Sequence, residues 1–246
     1  MARTELDIPT NDGVCRATLH TPDGDQPRPG VLYYPDAGGV RETFATMAVR
    51  LADQGFAVLL PDIYYRTPYA PFDTSTLFTD PEEFARLGAL AQTVTPERAD
   101  DDARAYLAAL AGRPEVAHSR LGTVGYCLGG GMALRAAGNH PETLAVTATF
   151  HGGNLAVVDN PDSPHLVVEH IRGAVYVAGA TDDAVFDADQ QRRLREAFDA
   201  AGVRAEIETY PAAHGFAVPD NPTHDPAADQ RHFDTLTTFL TTHLAP

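Results

Sequence analysis

Short apolar runs rich in β-branched and aromatic residues recur along the chain. They fall at Val14 to His20, Val31 to Tyr34, Ala57 to Leu60, Leu121 to Gly125, Val146 to Phe150, Ala174 to Ala178 and Ala205 to Tyr210. Runs of this length and composition predict strands. Between most of them, apolar residues return at helical spacing over Thr43 to Gln54, Pro96 to Ala111, Leu128 to Asn139 and Ala188 to Ala200, with a last helix near Pro226 to His243. Gly55, Gly112 and Gly202 follow three of these segments, where a left-handed C-terminal cap is expected.

Strands that alternate with helices imply an α/β fold, with a mostly parallel central sheet and helices on both faces. At 246 residues, with no low-complexity linker and no internal repeat, residues 1–246 read as a single domain. Ligands in such folds bind at the carboxyl ends of the strands, so residues that do chemistry should stand just after strands. The stretch Thr67 to Thr79, rich in Pro, Thr and aromatics, reads as a loop bordering that pocket.

Charge narrows the choice of partner. A net charge of −16, with every basic residue an arginine and none gathered into a stripe, disfavours nucleic acid and anionic membrane surfaces. No apolar segment has the length of a membrane span and the N-terminus lacks a signal core, so a cytoplasmic location is expected. Cys15 and Cys127 match no disulfide framework and no zinc spacing; no metal is expected, and a special cysteine here is catalytic or redox-active.

Cys127 is the candidate. It lies in Gly125-Tyr126-Cys127-Leu128-Gly129, between a predicted strand and a predicted helix, in the kind of sharp turn that exposes a nucleophile. Side chains at Gly125 and Gly129 would collide with neighbouring backbone there, and amides at the helix start favour a thiolate. The alternative is a small packing cysteine in a glycine-rich turn. None of Ser75, Ser119 and Ser163 has such surroundings.

A nucleophile of this kind needs an imidazole to take its proton and a carboxylate to orient that imidazole. Thr181-Asp182-Asp183 follows one predicted strand and Ala213-His214-Gly215-Phe216 follows the next. His214 is the predicted base and Asp182 the predicted orienting acid; Asp183 competes for that role, and either aspartate could instead cap a turn. The tetrahedral oxyanion would be held by the backbone N–H groups of Leu128 and Ala37, the latter in the glycine loop Pro35 to Gly39.

Taken together, these residues resemble the dienelactone hydrolase family of the α/β-hydrolase superfamily. The resemblance rests on Val124 to Gly130, on Pro61-Asp62-Ile63-Tyr64-Tyr65-Arg66, on the Gly179 to Asp182 turn and on Tyr210 to Phe216. It implies a Cys127, Asp182, His214 triad, no metal or organic cofactor, and cleavage of an enol-lactone or related ester through an acyl-enzyme. Where that family carries a glutamate thought to hold the resting thiol, this chain has Asp36, which either modulates the thiol or caps the next helix. Where dienelactone-cleaving members carry an arginine after the histidine, this chain has Val218. Arg66 and Arg86 are the candidates to replace it, and Tyr64, Tyr65, Tyr69, Phe72 and Phe216 are candidate pocket walls.

The expected partner is therefore a small-molecule ester or lactone, with the chain a monomer or small homo-oligomer. Two other functions stay open: a small-molecule-binding or thiol-redox protein with a vestigial triad, and an acyltransferase in which an alcohol or amine intercepts the acyl-enzyme.

Overall fold

The computed structural model describes residues 1–77, 79–117 and 121–244. Ser119 and part of the predicted Thr67 to Thr79 loop lie outside these residues. A hairpin of β1 (Ala2–Thr10) and β2 (Gly13–Thr21) precedes β3 (Gly30–Tyr34), α1 (Glu42–Ala52) and β4 (Ala57–Pro61). Next come α2 (Pro81–Ala91), α3 (Pro96–Ala111), β5 (Leu121–Tyr126), α4 (Leu128–Asn139) and β6 (Leu144–Phe150). A short 3-10 helix (Pro164–His170) leads into β7 (Ala174–Asp182), α5 (Ala188–Ala201), β8 (Ala205–Ala213) and α6 (Pro226–Leu244).

The eight strands form one sheet in the order β1-β2-β4-β3-β5-β6-β7-β8. From β4 through β8 every pair is parallel, and only the β1–β2 and β2–β4 pairs are antiparallel. The predicted α/β architecture is thus present. Alternation along each strand divides the core into two layers. In β3, Val31 and Tyr33 join Phe44, Met47 and Leu51 of α1 and Leu236 and Leu240 of α6, while Leu32 and Tyr34 join α3, α4 and α5 on the opposite face. Burial on both faces explains why the central strands read as continuous apolar runs.

Three elements escape the hydrophobic pattern: β1, α2 and the short 3-10 helix, which buries only Val168. In β1 only Ile8 is buried, so this edge strand alternates weakly. Helix α2 buries only Leu87 and Leu90. Its start was nevertheless written in the chain: Asp80 caps the Glu82 and Glu83 N–H groups and Pro81 occupies the first turn. Of the three expected left-handed caps, Gly202 provides one at φ 65°. Gly112 is right-handed at φ −78°, and α1 is capped by Asp53, with Gly55 at φ 100° just beyond it.

Candidate active site

Five strand exits meet at one end of the sheet. The loop after β3 brings Asp36 and Ala37, β5 brings Cys127, β6 brings His151, β7 brings Asp183 and β8 brings His214; all six line a cavity of about 300 Å³. Leu77, Leu87 and Val185 supply apolar wall, with Leu87 contributed by α2.

Cys127 occupies the N-terminal cap of α4 at φ 50°, ψ −116°, a left-handed conformation that costs a non-glycine residue energy. The turn is as tight as its glycines imply. A Cβ on Gly125 would lie 2.0 Å from the Gly129 carbonyl oxygen, and one on Gly129 would lie 2.3 Å from that of Pro35. Tyr126 is anchored from below: Tyr33 Oη donates to Tyr126 Oη at 2.9 Å, which bonds His232 Nε2 at 2.8 Å. Leu128 opens α4, so its N–H has no acceptor a turn earlier within the helix. Cys15, by contrast, is fully buried, and burial pushes its thiol up to about 12.

His214 Nδ1 donates to Asp183 Oδ2 at 2.8 Å, and its ring lines the same cavity as Cys127. Burial disfavours the imidazolium, but the interactions with Asp183 and Cys127 outweigh it and push the His214 pKa up to about 10. The expected role of Asp182 is corrected here. Strand β7 runs on to Asp182, which is exposed and pairs through its backbone with Ala213 of β8. Asp183 is the residue after the strand; its buried carboxylate also accepts from the Val185 and Phe186 N–H groups.

Asp36 also differs from expectation. Both its oxygens are held by Arg41, at 2.7 and 2.9 Å, and Oδ1 accepts from the Gly38 N–H. The cap position of α1 is Arg41 itself, so Asp36 does not cap that helix. Arg41 grips Asp220 as well, at 2.6 and 2.8 Å, with Thr43 donating to the same carboxylate. One guanidinium thus ties the Ala37 loop to the segment downstream of His214.

The dienelactone hydrolase family model matches residues 15–244. The chain belongs to this family. It is a hydrolase of the dienelactone hydrolase type. It is 29% identical to the carboxymethylenebutenolidase of Rhodococcus opacus, covering 92% of this chain and 85% of that protein. A metagenomic dienelactone hydrolase-like promiscuous phosphotriesterase superposes with TM-score 0.76 at 26% identity over 100% of both chains. A candidate dienelactone hydrolase from Klebsiella pneumoniae superposes with TM-score 0.82 at 23% identity over 98% of both chains, which shows the shared fold.

Within this family frame, the proposed carboxylate-binding arginines lie elsewhere. Arg66 is paired with Asp102 and Asp12. Arg86 pairs with Glu83, donates to the Ala70 carbonyl and stacks over Phe72, outside the cavity. Val218 is fully buried. Among the described residues no arginine lines the cavity, and the chain has no lysine. Nor do the predicted aromatic walls face it. Tyr64 donates to the Ala37 carbonyl, Tyr65 bonds Thr10 and Asp102, Tyr69 packs on Tyr64 and Phe72, and Phe216 stacks on Tyr210. These rings brace the loops from behind.

His151 is the cavity residue that sequence reasoning passes over. Its signal was position: like Cys127, Asp183 and His214, it directly follows a strand. Among the described residues no helix is long and apolar enough to cross a membrane.

Proposed function

We propose that this hydrolase cleaves an uncharged carboxylic ester or lactone, with Cys127 as nucleophile, His214 as base and acid, and Asp183 as the orienting carboxylate. The observation that carries the reading is the convergence of these three side chains on one cavity, with His214 Nδ1 bonded to Asp183. Cys127 Sγ attacks the carbonyl carbon as thiolate while the proton resides on His214. The oxyanion is received by the Leu128 and Ala37 N–H groups. Collapse expels the alkoxide, protonated by His214, and leaves a thioester. His214 then deprotonates a water that attacks the thioester, releasing the carboxylic acid and the thiol.

The substrate is uncharged because the cavity offers a carboxylate no arginine, and Arg41 is already saturated by Asp36 and Asp220. The test is hydrolysis of p-nitrophenyl butyrate and of simple lactones in the presence of EDTA. Turnover should persist with chelator, fall to background in Cys127→Ala, and favour neutral substrates over carboxylate-bearing analogues. Full activity in Cys127→Ala, or dependence on added metal, overturns the scheme.

A second reading, hydrolysis of an uncharged phosphotriester, is favoured by the arginine-free cavity and by the metagenomic neighbour named for that activity. Comparing kcat/KM for a dialkyl aryl phosphotriester and the matching carboxylic ester separates the two.

A further inference from the structure

His151 follows β6 in a left-handed conformation, φ 39°, that favours glycine, and the next residue, Gly152, is itself a glycine. A bulky side chain kept in such a backbone marks a place where the side chain is needed. The N–H of His151 is tied to the Ala178 carbonyl at 2.7 Å, so the backbone is fixed. The ring stands edge-on to His214, 5.1 Å between centroids, and to Phe216, 5.2 Å. It is 1% exposed and forms part of the cavity wall.

Among the described residues, neither Nδ1 nor Nε2 of His151 has a hydrogen-bond partner. Burial, and the nearby charge of His214, hold this imidazole well below its usual pKa, so it is neutral, with one N–H donor and one bare nitrogen acceptor. A buried polar ring with both nitrogens unpaired is costly unless a partner arrives. The cavity beside it is where one would arrive.

We propose that His151 is a specificity-determining residue whose imidazole hydrogen-bonds a second, uncharged oxygen of the substrate, a hydroxyl or carbonyl next to the scissile acyl group. The substrate class sharpens accordingly, to oxygenated neutral esters and lactones. This rests on reading the cavity as the ester or lactone site. A site built around such a bond discriminates strongly against an analogue that lacks the oxygen, because the ring is then left unpaired.

The test is binding without turnover. Cys127→Ala protein is titrated with α-hydroxy-γ-butyrolactone and with γ-butyrolactone, following Kd by NMR. The hydroxylated lactone should bind about tenfold tighter or better, and the preference should shrink to within about twofold in the Cys127→Ala, His151→Phe double variant. A measurement without any change at residue 151 accompanies it: in histidine-labelled Cys127→Ala protein, the His151 ring nitrogen resonances should move with the hydroxylated lactone and stay put with the parent. No preference, a preference surviving His151→Phe, or unmoved ring resonances overturns the proposal. Hydrolysis by the wild-type enzyme is assayed in parallel, so loss of the hydrolase reading and loss of the His151 assignment are seen separately.

Discussion

Asp183 Oδ2 accepts a 2.8 Å hydrogen bond from His214 Nδ1, whereas Asp182 holds the same residue only through its backbone carbonyl, 3.0 Å from the His214 N–H. Two adjacent carboxylates therefore have separable fates. Asp183→Asn should lower kcat by about 10⁴, the effect of losing the tautomer and orientation that a carboxylate imposes. Asp182→Asn, which keeps the backbone bond, should stay within about threefold of wild type. Steady-state kinetics on an activated ester decides; equal losses would remove Asp183 from the proposed triad.

The raised pKa of His214, about 10 against an ordinary 6.5, links stability to pH. The folded state holds this proton more tightly than the unfolded chain, so the stabilisation is complete below about pH 6.5 and is lost as pH rises through about 10. Urea unfolding between pH 6.5 and 10 should show a decline in wild type that is much reduced in His214→Gln. Cys127→Ser, which removes the sulfur's contribution, should shift that decline to lower pH.

Steric room separates the glycines around Cys127. Gly125→Ala and Gly129→Ala would press a methyl group into backbone atoms at 2.0 and 2.3 Å, and each should cost more than about 3 kcal/mol of folding stability. At Gly131 the nearest atom is 3.7 Å away. Gly131→Ala should be neutral or stabilise α4 by up to about 1 kcal/mol. Chemical denaturation of the three variants checks the contrast.

Arg41→Met should leave Asp36 and Asp220 facing each other without a cation. A loss of about 2–3 kcal/mol is expected, reduced from the value for a fully buried pair because Asp220 is partly exposed. Loosening of the Ala37 loop should also lower kcat about tenfold. Adding Asp36→Asn and Asp220→Asn should restore most of the stability but not the rate, as calorimetry and kinetics on the same samples would show.

Much of this was legible in the chain. The central strands announce themselves because both faces are buried and their apolar runs are unbroken. The placement of Cys127 and His214 was legible because a sharp turn flanked by Gly125 and Gly129, and a histidine after a strand, are local patterns. The edge strand β1 was not, because it buries little. Arg66, Arg86, Tyr64 and Phe216 look like binding groups one at a time, and only their partners reveal that they brace loops.

By itself, then, the order of residues determined the α/β alternation, the tight turn at Cys127 and the family. These depend on periodicity and on backbone sterics over a few residues, which sequence records directly. The tertiary structure decided which aspartate meets the histidine, because the two differ only in how far β7 extends. It also decided that Asp36 belongs to Arg41 and that His151 enters the cavity. Those outcomes depend on distances between segments far apart in the chain, set by strand order and register, which no local pattern encodes.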